Sequence, residues 1–268
     1  MKDAINDIMP RYARDPAQEL SDRIARAIYN RVYPFYRAFP HHGPVSLFQI
    51  EHRGAYSPPD RFFYNRVPKA ANTSVIRMLA SNSSYCRPRA GKGDKRRMLR
   101  PQLMSAADVR ALTGPDTFRF TIVRNPFTRV LSAYLSKILL QKNSMRLRRF
   151  ARMMDTDPAT PPDFTKFCRF LANGGVWRDA HWAPQWALML LPAEMYHHIG
   201  RVETLDDDLA LVASRIWGAD AIAPAPRLGM QTNSGDALVT YYTDEAHDIV
   251  ARLYSEDFRR FGYGTYLP

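Results

Sequence analysis

Two clusters of cations and hydroxyls in this chain are of the types and spacing that hold anions. Lys69 is closely followed by Thr73 and Ser74, and Arg124 by Arg129 and Ser132. A guanidinium fork, a hydroxyl and a helix N-terminus together suit a phosphate. A lysine beside loop amides can neutralise an oxyanion while the amides hold it. The first cluster lacks the G-x-x-x-x-G-K-[ST] pattern of nucleotide triphosphatases, since its lysine precedes the loop and no glycine lies in it, which argues against an ATPase. Taken alone, the Arg124 cluster suits a phosphate site and a plain strand-to-helix connection, with a surface arginine and a capping asparagine, equally well.

The elements that must position these residues are legible around them. Phe118 to Val123 has the length and β-branched content of a central strand. Asn125 then suits an N-cap and Pro126 the first helical turn, from which Phe127, Val130, Leu131 and Tyr134 recur at helical spacing. Arg61 to Val67 predicts another strand, followed by a loop at Pro68 to Ser74 and a helix through Val75, Ile76, Met78 and Leu79. Further helices are expected near 126–142, 163–173, 205–217 and 243–253, with a short strand around Tyr196 to Val202. This alternation predicts an α/β fold, an open and mostly parallel sheet flanked by helices, without internal repeats. In such sheets ligands bind beyond the carboxyl ends of the strands, and Lys69, Arg124 and Glu203 all follow predicted strands.

Val67-Pro68-Lys69-Ala70-Ala71-Asn72-Thr73-Ser74 resembles the 5′-phosphosulfate loop of sulfotransferases that use 3′-phosphoadenosine 5′-phosphosulfate (PAPS), and Val123 to Tyr134 resembles their 3′-phosphate motif. Asp179-Ala180-His181-Trp182-Ala183-Pro184-Gln185 and the terminal Tyr254 to Tyr263 are similar to two further motifs of the Golgi carbohydrate sulfotransferases, the group that includes chondroitin and dermatan 4-O-sulfotransferases. The four motifs stand in family order from about residue 60 to the end. The resemblance implies a P-loop-like three-layer fold, with a catalytic domain over 59–268 behind a helical extension over 1–58. It implies 5′-phosphate binding by Pro68, Lys69, Ala70, Ala71, Asn72, Thr73 and Ser74, and 3′-phosphate binding by Arg124 and Ser132. Asn233 and Ser234 stand where relatives carry a polar pair near the cofactor, or form a plain turn with Gly235 and Asp236.

Sulfuryl transfer needs a cation on the leaving oxygen, a base for the incoming hydroxyl and no metal. Lys69 suits the first role. Arg129 has two readings, as a phosphate ligand or as the partner of an acid on a neighbouring element. Two candidates remain for the base. His181 has Asp179 near in sequence to orient its ring, though a His-Trp-x-Pro-Gln turn could equally serve only to pack a helix. Glu203 could act as the base, orient Lys69, or help cap the helix that follows Thr204. His197 and His198 are adjacent in a strand and point to opposite faces.

Composition agrees. The chain has 268 residues, 46% apolar, enough for one substantial core, and its formal net charge of +12 implies an anionic partner. Nucleic acid is disfavoured, because aromatic residues are not interleaved with the basic runs as a stacking platform requires. The only cysteines, Cys86 and Cys168, form neither a metal-ligand pattern nor a disulfide scaffold. The Golgi relatives carry a cysteine shortly after the His-Trp-x-Pro-Gln motif where Ala187, Leu188 and Met189 stand here. That departure, an acidic N-terminus and the lack of a long apolar run suggest a soluble, cytoplasmic, bacterial-type member.

Leu20, Ile24, Ile28 and Val32 form an amphipathic pattern against Arg23, Arg26, Arg31 and Arg37. The expected role is a helix packed on the catalytic domain, with a membrane-surface or self-association helix as alternatives. Two basic runs, Arg87, Arg89, Lys92, Lys95, Arg96, Arg97 and Arg100, then Arg146, Arg148, Arg149 and Arg152, are solvated surface or guides for an acidic acceptor. The function implied is transfer of a sulfuryl group to a carbohydrate hydroxyl. The alternative is a noncatalytic binder of anionic glycan or nucleotide that keeps the fold.

Overall fold

Short aromatic strands build the sheet. In the computed structural model, which describes residues 16–86, 98–140, 148, 151, 157, 160–222 and 237–268, four strands run β1 (Gly54–Ser57), β2 (Phe62–Asn65), β3 (Phe118–Val123) and β4 (His198–Arg201), side by side in that order. β1 is antiparallel to β2, with Gly54 opposite Asn65. β2, β3 and β4 are parallel, with Phe62 opposite Phe118 and Phe120 opposite His198. Their carboxyl ends therefore lie along one edge, and the chain leaves them at Arg66, Arg124 and Val202.

The chain divides into two compact units. One carries the described residues up to Val123 with those from Ala187 to Ile222, and the other carries Arg124 to Trp186 with those from Ala237 onward. The first contains the sheet, with α1 (Pro16–Val32), α2 (Pro34–Ala38), α3 (Leu47–Ile50), α4 (Asn72–Asn82), α5 (Ala106–Thr113) and α8 (Leu205–Trp217). The second is helical, with α6 (Pro126–Tyr134), α7 (Phe164–Ala172), α9 (Leu238–Tyr241), α10 (Asp244–Leu253) and α11 (Ser255–Phe261).

In the sheet unit, Phe62, Tyr64, Phe120 and Ile122 pack one sheet face on Val75, Met78 and Leu79 of α4 and on Leu205, Leu209 and Val212 of α8. From the other face Phe63 stacks on Phe35 of α2, with ring centroids 6.2 Å apart. The buried Asn65 amide donates to the Leu188 carbonyl, and its oxygen accepts from the Leu190 amide and the Tyr196 hydroxyl. With both faces covered, the central strands β2 and β3 are buried almost throughout and read as largely apolar runs. Gly200 is closely packed: a Cβ there would come within 2.7 Å of Ile122 Cδ1 and 2.8 Å of Asp208 Cγ, so a larger residue would displace these side chains. In the helical unit, Phe127, Val130, Leu131 and Tyr134 of α6 form a core with Phe164, Phe167 and Leu171 of α7, Ile249 and Val250 of α10, and Phe258 of α11.

The structure refines several expectations. Residues 54–57, unassigned from the sequence, form an edge strand of the sheet by pairing with β2. Gly-Ala-Tyr-Ser has no strand signature of its own, and pairing with β2 creates the strand. α6 passes at Leu135–Leu139 into a π-helical turn, and residues 141 and 142 of the expected helix lie outside the described residues. α1 does sit on the sheet unit, but through its polar face, and its aliphatic stripe faces solvent. Among the described residues no group could hold a metal ion, and no helix is long and apolar enough to cross a membrane. Cys86 and Cys168 are buried free thiols.

Candidate functional site

The loop after β2 is built from left-handed residues that are not glycine. Lys69 has φ 68° and Ala71 has φ 51°, flanking the buried Ala70. A left-handed L-residue costs about 1–2 kcal/mol, so the surroundings must impose it. They do so through Asn72, whose amide donates to the Val67 carbonyl at 3.1 Å while its oxygen accepts from the Tyr64 hydroxyl at 2.7 Å. Burial pushes the Tyr64 phenol well above its usual pKa, which keeps it a donor. α4 starts at Asn72 with no side-chain cap and no acid in its first turn. Left-handed turns that lead into such a helix aim successive amides at one point, an anion-binding concavity. Asn72 thus acts through its side chain as the clamp of the loop. Thr73 is exposed and Ser74 half-buried in the first turn.

The second cluster lies in the helical unit. Asn125 caps α6, its oxygen accepting from the Phe127 amide at 2.9 Å. Arg124 Nε donates to Thr128 Oγ1 at 2.9 Å, and Ser132, one turn beyond Thr128, is buried. Gln185 grips the Arg124 backbone twice, accepting from its amide at 2.9 Å and donating to its carbonyl at 2.8 Å. Asp257, fully buried on α11, accepts the amides of Gln185 at 2.8 Å and Trp186 at 2.9 Å.

Arg129 is also fully buried and donates to the carbonyls of Ala183 at 2.8 Å and Ala180 at 3.2 Å. Burial lowers its pKa and the Asp257 charge opposes that shift; burial raises the Asp257 carboxyl to about 6, with Arg129 opposing. Of the two readings open for Arg129, the structure selects the structural one. The segments resembling the 3′-phosphate motif, the His-Trp-x-Pro-Gln motif and the terminal motif are therefore bonded into one unit.

His181 rides on the turn so fixed. Its Nδ1 donates to Asp179 Oδ1 at 2.6 Å, and its backbone amide donates to the same oxygen at 2.9 Å. That bond sets the neutral ring in the tautomer whose Nε2 is basic. Trp182 Nε1 donates to the Gly175 carbonyl, and the Tyr254 hydroxyl to the Trp182 carbonyl.

Glu203 is exposed in the turn between β4 and α8. The carboxylate that organises this turn is Asp208, which accepts from His198 Nε2 at 2.7 Å, the Arg201 amide at 2.8 Å and Thr204 Oγ1 at 2.7 Å. Thr204 occupies the N-cap position but donates to Asp208 instead of accepting an amide. His197 stacks on Phe118 while His198 turns to α8, as strand alternation requires. Asn233, Ser234, residues 87–97, Arg146, Arg149 and Arg152 lie outside the described residues. Sequence reasoning assigned no role to Thr128, Gln185, Asp208 or Asp257. Thr128, Gln185 and Asp257 fell inside recognised motifs, and nothing in the sequence marked Asp208.

The sequence model of the sulfotransferase family matches residues 53–264. This chain belongs to the sulfotransferase family. Its mixed sheet with flanking helices is the family's P-loop-like α/β fold. Among curated proteins it is 24% identical over 164 residues to carbohydrate sulfotransferase 11 of Danio rerio, covering 54% of this chain and 46% of that protein. It is 26% identical over 252 residues to carbohydrate sulfotransferase 10 of Homo sapiens, covering 83% and 69%. The chain thus spans under half of the first relative's length. No solved structure matches significantly.

Proposed function

We propose that this family member transfers the sulfuryl group of PAPS to a hydroxyl of a carbohydrate. One observation carries the reading: in a sulfotransferase-family chain, the loop after a central strand holds Lys69 and Ala71 left-handed and opens an uncapped helix. The residues fit a donor with two phosphate groups. Amides of 71–74 suit the 5′-phosphate, with the hydroxyls of Thr73 and Ser74, and Arg124 and Ser132 suit the 3′-phosphate. PAPS, when bound, supplies an activated sulfuryl group whose S–O bond to the phosphate breaks as the acceptor oxygen bonds to sulfur.

Lys69 stabilises the charge that gathers on the leaving oxygen. His181 Nε2 takes the acceptor proton, and Asp179 steadies the imidazolium that results. The 2.6 Å Asp179 bond favours His181 over Glu203 as the base. The carbohydrate acceptor rests on the names of the two relatives. Cytoplasmic placement belongs to the same proposal, supported by the two buried free thiols. The test is turnover with labelled PAPS on a panel of glycan acceptors. Lys69→Ala should lose at least ~100-fold in kcat, and Asp179→Asn about as much, through the wrong tautomer. Nucleotide binding without transfer to any acceptor, or Lys69→Ala at full activity, would reject the assignment.

A further inference from the structure

Four large aliphatic side chains stand in water on α1. Leu20, Ile24, Ile28 and Val32 are 56%, 52%, 50% and 60% exposed. Four-residue steps on a helix advance by about 40°, so the four form one continuous stripe. The helix cannot roll to bury it, because its opposite face is anchored by polar bonds. Asp22 accepts from the Leu47 amide at 2.8 Å and from Ser46 Oγ at 3.0 Å. Arg26 pairs with Asp22 and donates to the Val45 carbonyl at 3.1 Å, and the Tyr29 hydroxyl donates to Gln102 at 2.7 Å.

The charges beside the stripe decide its occupant. Arg23 and Arg31 on α1 and Arg37 on α2 are exposed, and Arg31 and Arg37 line an open concavity with Ala27 and Asn30. From residue 16 to 50 the carboxylates are Glu19 and Asp22, and Asp22 is taken by Arg26. A second copy of this face would add as many exposed arginines again, with one Glu19 from each copy to offset them. Anionic headgroups offset all three. We infer that α1 lies in the interface of an anionic lipid bilayer, with the four aliphatics at the acyl boundary and Arg23, Arg31 and Arg37 against lipid phosphates. This does not depend on the donor or the acceptor proposed above.

The test is co-sedimentation of the full chain with vesicles of phosphatidylcholine alone or mixed with phosphatidylserine. The expected result is binding to the mixed vesicles only, weakened by salt. Ile24→Gln with Ile28→Gln should weaken it at least tenfold, and Arg31→Gln with Arg37→Gln should weaken it measurably, with unchanged circular dichroism and melting temperature. Absence of binding to the mixed vesicles, or equal binding by the Ile24→Gln/Ile28→Gln variant, overturns the inference. So does a lipid-free dimer that this double variant turns monomeric, which would assign the stripe to a second copy.

Discussion

Lys69 and Ala71 show how a side chain can hide the backbone property that matters. Phosphate loops usually recruit glycine to reach positive φ, and this loop reaches it at Lys69 and Ala71 under the tether of Asn72. The cation and hydroxyls were readable from residue type. The left-handed geometry was not, since neither lysine nor alanine advertises it, and the Tyr64 partner of Asn72 is set by the fold. Ala71→Gly should relieve strain and raise stability by about 1 kcal/mol, whereas Ala71→Val should destabilise by more than that. Chemical denaturation checks both. A destabilising Ala71→Gly contradicts the left-handed assignment.

At the scale of elements, the 179–186 turn is the junction that holds Arg124 and His181. Helices with a strong apolar period were found nearly in place, α8 at its predicted bounds and α7 within a residue. β1 was missed because its four residues become a strand only by pairing, and the clamp by Gln185 and Asp257 because its partners are far apart in sequence. Arg129→Ala should cost about 3–5 kcal/mol by leaving the buried Asp257 charge and the turn carbonyls uncompensated. Arg129→Lys should recover little, since one ammonium replaces a fork that serves two carbonyls.

Asp257 adds a signature in pH. Its carboxyl, raised to about 6, holds a proton more tightly in the fold than in the unfolded chain, where it titrates near ~4. The resulting stability is fully present below about pH 4 and is lost as pH rises through about 6, a fall of up to ~3 kcal/mol. Asp257→Asn should abolish that slope. An unchanged stability-versus-pH profile between pH 4 and 6 in this variant would refute the assignment of the slope to Asp257.

On the scale of the whole molecule, a mixed sheet places the Lys69 loop directly after β2 and the Arg124 segment directly after β3. Strand alternation and motif order made the fold class legible, because buried parallel strands leave continuous apolar runs. The solvent-facing stripe of α1 was not legible, because its amphipathic period does not say which face the sheet unit takes.

The proposed donor site assigns Lys69 and Arg124 to the two phosphates of one nucleotide. Calorimetric titration with 3′-phosphoadenosine 5′-phosphate and with adenosine 5′-phosphate tests it directly. The expected result is saturable binding of the first, a loss of at least tenfold on Arg124→Ala, and no such loss for the second ligand, which lacks the 3′-phosphate. No saturable binding, or an equal loss for both ligands, would contradict it.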